Sequence, residues 1–381
     1  MMHPFPNQLF RDSVELLSGE TDRIDNHAGA WRFLDDIGYT EFQANEDRTT
    51  QQQHINILKV AAKLDLFALD VPDAPYLYFM GGKVSPDLFD GFSDYAPSST
   101  SGISTDIAGA FESCVAERVE YLSQHPTAED FLNQNNGQFD KGNSVRWNHY
   151  QSFKPPPYAD RLLEAKELTT RTRIGIPQSL CLRNVHSKNL HGMSTGCAAG
   201  RSLQKATLSA LLELIERDAA ALWWEGGKAP RPVSIEAICE AGIEYLYNSV
   251  GRRSNKKTTL LLDITTDVGI PVIAAISTDL QNANRFACGL ACRVNLKDAI
   301  YKAVLEMLQM EVGHHVLALK QRVHGSESLN EKDVEQVNRT RLLADIWSRT
   351  SLKTQGQPQL PTLGTNAVSY THLTLPTIYS V

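Results

Sequence analysis

Apolar residues recur at helical spacing through three segments of the chain, 106–121, 202–217 and 295–310, and the three segments share one layout. Each opens on a residue that caps a helix N-terminus: Asp106, Ser202 or Asn295. Such a side chain accepts a hydrogen bond from a first-turn backbone N–H that has no partner within the helix. An alanine follows four positions on (Ala110, Ala206, Ala299), then a glutamate seven further (Glu117, Glu213, Glu306), then Glu120, Glu216 or Gln309. Residues three apart share a helix face, so the paired carboxylates point the same way. Around these helices, residues 75–82 predict a strand ending in a turn. Residues 258–278 predict two strands around a turn, and 286–294 a third that runs into the last helix. Leu168–Leu182 predicts a hairpin with 175–182 as its second strand. Helical patterns occur at 11–18 and 51–66, and a polar helical segment follows about residue 325. The Ser/Gly-rich stretch 91–105 and the polar stretch 123–157 predict loops, the latter a surface insertion. Residues 191–202 predict a Gly/Ser/Ala-rich strand and loop feeding the second helix. Strand-then-helix recurs, which places the chain in the mixed α/β (α+β) class with internal strand–helix pseudo-repeats.

The second helix is the most distinctive. Between Ala206 and Trp224 its only polar side chains are Thr207, Ser209, Glu213, Glu216, Arg217 and Asp218. Ser209, Glu213 and Glu216 fall within roughly 60° of one another on a helical wheel. So apolar a helix predicts burial, and a buried carboxylate must be paired or bind a metal. The first helix carries the same stripe in Ser113, Glu117 and Glu120. Repetition favours a shared divalent-metal site; internal salt bridges, with Arg118, Arg217 or a distant lysine, are the alternative.

Composition narrows the field. The chain has 381 residues, enough for a large core in one elaborate domain or two. Its net charge of −7, with no long basic run, argues against nucleic acid as a partner. The N-terminus lacks the charged lead and apolar stretch of a secretory signal, and no segment has the apolar length of a membrane span. The six cysteines form no CxxC pair, and Cys288 and Cys292 read as buried free thiols. A cytoplasmic protein is expected. His186, His191, His314 and His315 lack helical metal spacing and read as structural or surface residues, with His314 and His315 at the exposed end of the third helix. Residues 367–381 read as a non-native tail resembling translated sequencing adaptor, which predicts a natural protein continuing past about residue 366. The expected organisation is an N-terminal mixed segment (1–91), a core (92–325) carrying the 123–157 insertion, a helical and low-order segment (326–366) and that tail (367–381).

Three stretches carry a family resemblance. STGCAAG (194–200) followed by ATLSALLELIERDAAALWW (206–224) resembles the second ATP-site motif of the YcaO family. SCVAERVEY (113–121) is similar to its first motif, Ser-x3-Glu-x2-Glu-Arg. LLDITTDVGIPVIAAIS (261–277) and CGLACRVNLKDAIYKAVLEMLQMEV (288–312) resemble its third conserved region. The resemblance covers roughly 92–320 in the family's order. It implies a YcaO-type fold and an ATP- and Mg2+-dependent enzyme that activates backbone amides of a ribosomally made peptide or protein. The products would be azolines, by cyclodehydration, or thioamides, with a TfuA-type partner. The wording of the first two motifs is closer to the peptide-tailoring and TfuA-associated members than to the ribosome-associated one, which is linked to methylthiolation of a ribosomal protein.

Carried over by residue, the resemblance implies that Glu117, Glu120, Glu213 and Glu216 hold magnesium. Ser113, Gly200, Arg201, Arg217 and Lys302 would touch the nucleotide, and Arg217, Lys302 and Glu306 would support phosphoryl transfer. The chain departs from the family pattern at Tyr121, which replaces an arginine, and at Ala198 and Arg201, which replace serine and asparagine. Lys205 stands at an acidic position, and Asp298-x3-Lys302 replaces Gln-x3-Arg, keeping the cation without its fork. A TfuA-like or cyclodehydratase partner protein is implied, with self-association into a homodimer left open. No GxxxxGK[ST] loop is present, so a Walker-type ATPase is not indicated. The competing class is a YcaO-like non-catalytic accessory or scaffold protein. An unrelated metallohydrolase lacks the histidines such sites carry.

Overall fold

The structure, a computed structural model, describes residues 2–20, 27–40, 48–70, 76–84, 99–124, 162–177, 181, 195–243, 246, 257–279 and 285–349. The chain divides into two units: Met1–Glu117 together with Ala198–Val381, and Arg118–Cys197. His186, His191, the 125–157 part of the polar insertion and everything after 349, including the tail, lie outside the described residues.

The larger unit is built on two four-stranded antiparallel sheets. The first runs β1 (Met2–Pro4), β2 (Leu64–Asp70), β3 (Tyr78–Val84), β4 (Ser99–Ser104) in spatial order. Helices α1 (Asn7–Ser18), α2 (Ala28–Asp36), α3 (Arg48–Ala61) and α4 (Ile107–Ser123) accompany it. Its core joins Phe10, Phe33 and Phe111, whose rings meet edge-on or stacked at centroid distances of 5.4–6.0 Å, to Leu58, Leu64 and Leu66. Such aromatic contacts add to simple burial because ring edges and faces carry opposite partial charge.

The second sheet has the order β10 (Phe286–Cys292), β9 (Val272–Asp279), β8 (Lys257–Asp263), β7 (Arg231–Pro232). Alternation along its strands divides the residues between two cores. Ile273, Ala275, Ala287 and Ala291 join the core of the long helix α7 (Leu296–His324) and of α6 (Ile235–Glu240). Val272, Ala274, Phe286, Leu290 and Cys292 join that of α5 (Leu203–Trp224) and α8 (Glu331–Arg349). Trp224 and Trp347 stack there at 6.3 Å, with Trp223 edge-on to both. Among the described residues no helix is long and apolar enough to cross a membrane. The smaller unit contains the end of α4 and the hairpin β5 (Leu162–Lys166), β6 (Arg173–Pro177). In it the buried Arg118 guanidinium lies 5.7 Å from the Tyr121 ring.

Several expected elements need correction. The 51–66 helix ends at Ala61, where β2 takes over, and α2 was not expected. The hairpin lies earlier than 168–182, its first strand being Leu162–Lys166. Residues 99–104, expected in a loop, form a strand buried along its whole length. The third helix continues 14 residues past 310, so His314 and His315 lie within it; His314 is half-buried and bonds Thr340 Oγ1 at 3.2 Å. The second helix buries only one face, because Leu208, Leu211, Leu214 and Leu222 are exposed.

Candidate functional site

Each repeat helix is started by the residue chosen for it. Gly109 N–H donates to Asp106 Oδ1 at 2.6 Å, Lys205 N–H to Ser202 Oγ at 3.2 Å, and Asp298 N–H to Asn295 Oδ1 at 2.9 Å. These bonds satisfy donors that the helix itself leaves over. Ala110 and Ala299 are fully buried. Two glycines then set how closely strand and helix approach. A Cβ on Gly102 would overlap the Ala110 carbonyl and the Cys114 nitrogen of α4; a Cβ on Gly289 would overlap the Ala303 carbonyl and the Met307 nitrogen of α7. Strands β4 and β10 therefore lie directly on helix backbone.

The outward N–H groups of these two edge strands meet glutamates, from α4 itself for β4 and from α5 for β10. Ser101 N–H of β4 donates to Glu117 Oε2 at 2.6 Å, and Cys292 N–H of β10 donates to Glu216 Oε2 at 3.1 Å. Gln309, the amide at the third helix's second acidic position, donates to Ser101 Oγ at 2.7 Å, which joins α7 to β4. Arg217 stands 3.5 Å from Glu213 and 3.6 Å from Glu216. Lys302 stands 3.7 Å from Glu306 Oε1, while the buried Glu306 Oε2 has no hydrogen-bond partner among the described residues. Glu306 acts electrostatically on both Glu117 and Glu216, so carboxylates from all three repeat helices belong to one cluster.

The cluster carries an electrostatic cost. Loss of solvent pushes Glu117 up to about 7, against the opposing pull of the Ser101 N–H and Lys302. Burial, reinforced by the charge of Glu306, pushes Glu216 up as well, opposed by Arg217, Arg293 and the Cys292 N–H. Burial and the charges of Glu306 and Glu216 raise the Cys288 thiol to about 12, leaving it protonated and inert. Among the described residues no three His, Cys, Asp or Glu side chains converge closely enough to enclose a metal ion. The carboxylates meet backbone N–H groups and Arg217 instead. Raised carboxylates and an unpartnered buried oxygen are what a divalent cation would relieve, and carboxylate oxygens are its preferred ligands. The residues present therefore fit magnesium.

The other expected positions divide. Glu120 lies one turn after Glu117 on α4, in the smaller unit. Ser113 is partly buried on α4. Gly200 packs on the start of α5, where a Cβ would crowd the Ala206 nitrogen. Arg201 is engaged elsewhere: its guanidinium pairs with Glu112, which also accepts from Tyr39 OH at 3.0 Å. Two contributors escaped the sequence reading. Ser101 was hidden because its strand read as a loop. Arg293, which acts on Glu216, carries no spacing signal beyond following β10.

A family model described as YcaO cyclodehydratase, ATP- and Mg2+-binding, matches residues 101–371, well over half of the chain. An uncharacterized protein of Methanothermobacter thermautotrophicus is 26% identical over 125 residues, covering 30% of each chain. The structure of YcaO from Methanopyrus kandleri bound with AMPPCP and Mg2+ matches with a TM-score of 0.52 at 20% identity, over 68% of this chain and 64% of that one. The E. coli microcin synthetase McbBCD complex with pro-MccB17 bound matches with a TM-score of 0.55 at 15% identity, over 81% and 80%. The chain thus spans less than a third of the length of that archaeal relative and just under two thirds of the Methanopyrus protein. At these identities the structural matches establish a shared fold. Together with the family model over residues 101–371, they make this chain a member of the YcaO cyclodehydratase family.

Proposed function

We propose that the protein is an ATP- and Mg2+-dependent enzyme that activates backbone amides of a ribosomally made peptide or protein by O-phosphorylation, closing them to azolines. The observation that carries this reading is the carboxylate cluster drawn from three helices, with Arg217 and Lys302 beside it. An amide carbonyl is a weak electrophile and its oxygen a poor leaving group. In the proposed reaction a substrate Cys, Ser or Thr side chain adds to the carbonyl carbon. The resulting oxyanion takes the γ-phosphoryl group, releasing ADP. Phosphate then departs with the former carbonyl oxygen, the amide nitrogen loses its proton, and a C=N bond forms within the ring that the addition closed. Bound Mg2+·ATP supplies the phosphoryl group and neutralises the charge of its transfer. Glu117, Glu120, Glu213 and Glu216 are assigned to holding it; Arg217 and Lys302 offset phosphate charge, since such transfer depends on positioning and electrostatics more than on a protein nucleophile. A partner protein that presents the peptide fits this role, as the McbBCD neighbour is a complex with pro-MccB17 bound. External sulfide in place of the side chain would give a thioamide by the same activation.

Calorimetry with Mg2+ and ATP tests the assignment. Glu213→Gln and Glu216→Gln should each weaken binding by about tenfold or more while leaving the fold intact, because charge is removed without bulk. Unchanged affinity in both variants returns these residues to a salt-bridge role. The scaffold alternative is favoured by one observation, the engagement of Arg201 by Glu112. Peptide-dependent ADP release would eliminate it.

A further inference from the structure

A groove runs away from the carboxylates, and its first chamber is placed by residue spacing. Four positions beyond Glu216 on α5 is Ala220; four beyond Glu306 on α7 is Met310; four before Cys292 on β10 is Cys288. All three line one largely apolar chamber, walled by Trp223, Trp224 and Phe286, with Arg339 of α8 also on its lining. One helical turn is about 5.4 Å, so the chamber begins close beside the cluster. Its volume of about 40 Å³ is room for a few waters, and its apolar walls suit an aliphatic side chain. Gln336 and Thr340 of α8 border this chamber and a second of about 140 Å³, which adds Arg285, His314, Gln321 and Arg341. Arg285 and His314 in turn border a third, of about 60 Å³, with Lys257, Asp279 and Glu311.

The charge of the middle chamber is positive. Lys257 is paired to Glu311 at 2.8 Å, and Arg285 to Asp279 at 3.7 Å. No carboxylate among the described residues pairs with Arg341. His314 adds no charge at neutral pH, since burial and the charges of Arg285 and Lys257 push it down to about 4. An apolar chamber beside the cluster and a cationic one beyond it match an extended chain with an aliphatic side chain followed, a few residues on, by an acidic one.

We infer that the groove between α5, β10, α7 and α8 docks the substrate peptide, taking an aliphatic side chain in the chamber of Ala220, Met310 and the tryptophans and an acidic side chain at Arg341 and Arg285. This rests on the reading that the substrate is a peptide, and makes Arg341 and the chamber determinants of specificity.

Fluorescence anisotropy on the full chain without nucleotide tests it. The probes are a fluorescein-labelled, acetylated pentapeptide Leu-Gly-Gly-Asp-Asp, the same residues in reverse order, and versions with Leu replaced by Gly or both Asp by Lys. One order of the Leu/Asp probe should bind saturably, about tenfold tighter than its Gly or Lys version. Arg341→Glu, at an exposed position, should leave the fold intact and reverse the Asp-over-Lys preference. Absence of saturable binding by both orders, or an unchanged preference in Arg341→Glu, overturns the groove. Calorimetry with Mg2+ and ATP on the same sample separates the two claims. Nucleotide binding without probe binding removes the groove and leaves amide activation standing; probe binding without nucleotide binding does the reverse.

Discussion

The unit of β4 and α4 and the unit of β10 and α7 reach one geometry from opposite compositions. β10 reads Phe-Ala-Cys-Gly-Leu-Ala-Cys, an apolar strand that buries itself by ordinary transfer from water. β4 reads Ser-Thr-Ser-Gly-Ile-Ser and is buried at every position. It remains inside because its hydroxyls have partners: Thr100 Oγ1 meets Cys114 Sγ at 3.5 Å, Ser101 Oγ accepts from Gln309, and Ser104 Oγ donates to Asp106 Oδ2 at 3.0 Å. Buried polar groups are tolerated when bonded. What the units share is a glycine against helix backbone and a capped helix start; each strand's edge N–H also meets a carboxylate, from α4 in the first and from α5 in the second. Backbone placement defines the unit, and hydrophobicity is one of two ways to fill it.

The sharpest way to break that equivalence is to add one methyl group to each strand. Gly102→Ala and Gly289→Ala should each destabilise by about 3 kcal/mol, at the upper end of overpacking, measured by denaturant unfolding. A large loss in only one would show that the units are not built alike. Glu306→Gln comes next, since Glu306 acts electrostatically on both Glu117 and Glu216. Glu117 and Glu216 have raised folded-state values, so above the usual carboxylate range the unfolded chain gives up protons that the folded one retains. The cation-free protein should then lose stability as pH rises from about 4.5 through 7. Glu306→Gln should flatten that slope, gain about 1 kcal/mol at pH 8, and weaken Mg2+·ATP binding several-fold. An unchanged pH slope would separate the clusters.

His314 gives the opposite sign and belongs to the β10 side alone. Its folded value is depressed to about 4, so the stability it contributes is complete above its ordinary value near 6.5 and is lost as pH falls toward 4. The slope should be on the order of 1 kcal/mol per pH unit, and His314→Gln should remove it, as pH-dependent thermal melts would record. The smallest effect tests the caps. Asp106→Ala, Ser202→Ala and Asn295→Ala should each cost about 1 kcal/mol in the same unfolding experiment. Unequal losses would rank the three copies.

The sequence made legible what depends on local chemistry. Asp106, Ser202 and Asn295 cap their helices as expected, and Glu306 acts electrostatically on Glu117 and Glu216, while the expected set of Glu117, Glu120, Glu213 and Glu216 remains an assignment. It concealed what depends on tertiary partners. Nothing in Ser99–Ser104 announces a buried strand, because the groups that satisfy its hydroxyls lie on α4 and α7. Leu208, Leu211 and Leu214 read as core because apolarity around α5 cannot say which side another element will cover. The position of His314 was missed because α7 runs on past 310, and the Thr340 it meets comes from α8.

A sheet edge is a row of unused donors that invites pairing with another chain. In β4 the outward donor of Ser101 is taken by Glu117; in β10 those of Cys288 and Cys292 are taken by Met310 Sδ and Glu216. The glutamates of the candidate site therefore also occupy two edge donors that could otherwise pair with another chain, so that Glu117→Ala or Glu216→Ala would bare a sheet edge as well as remove a carboxylate.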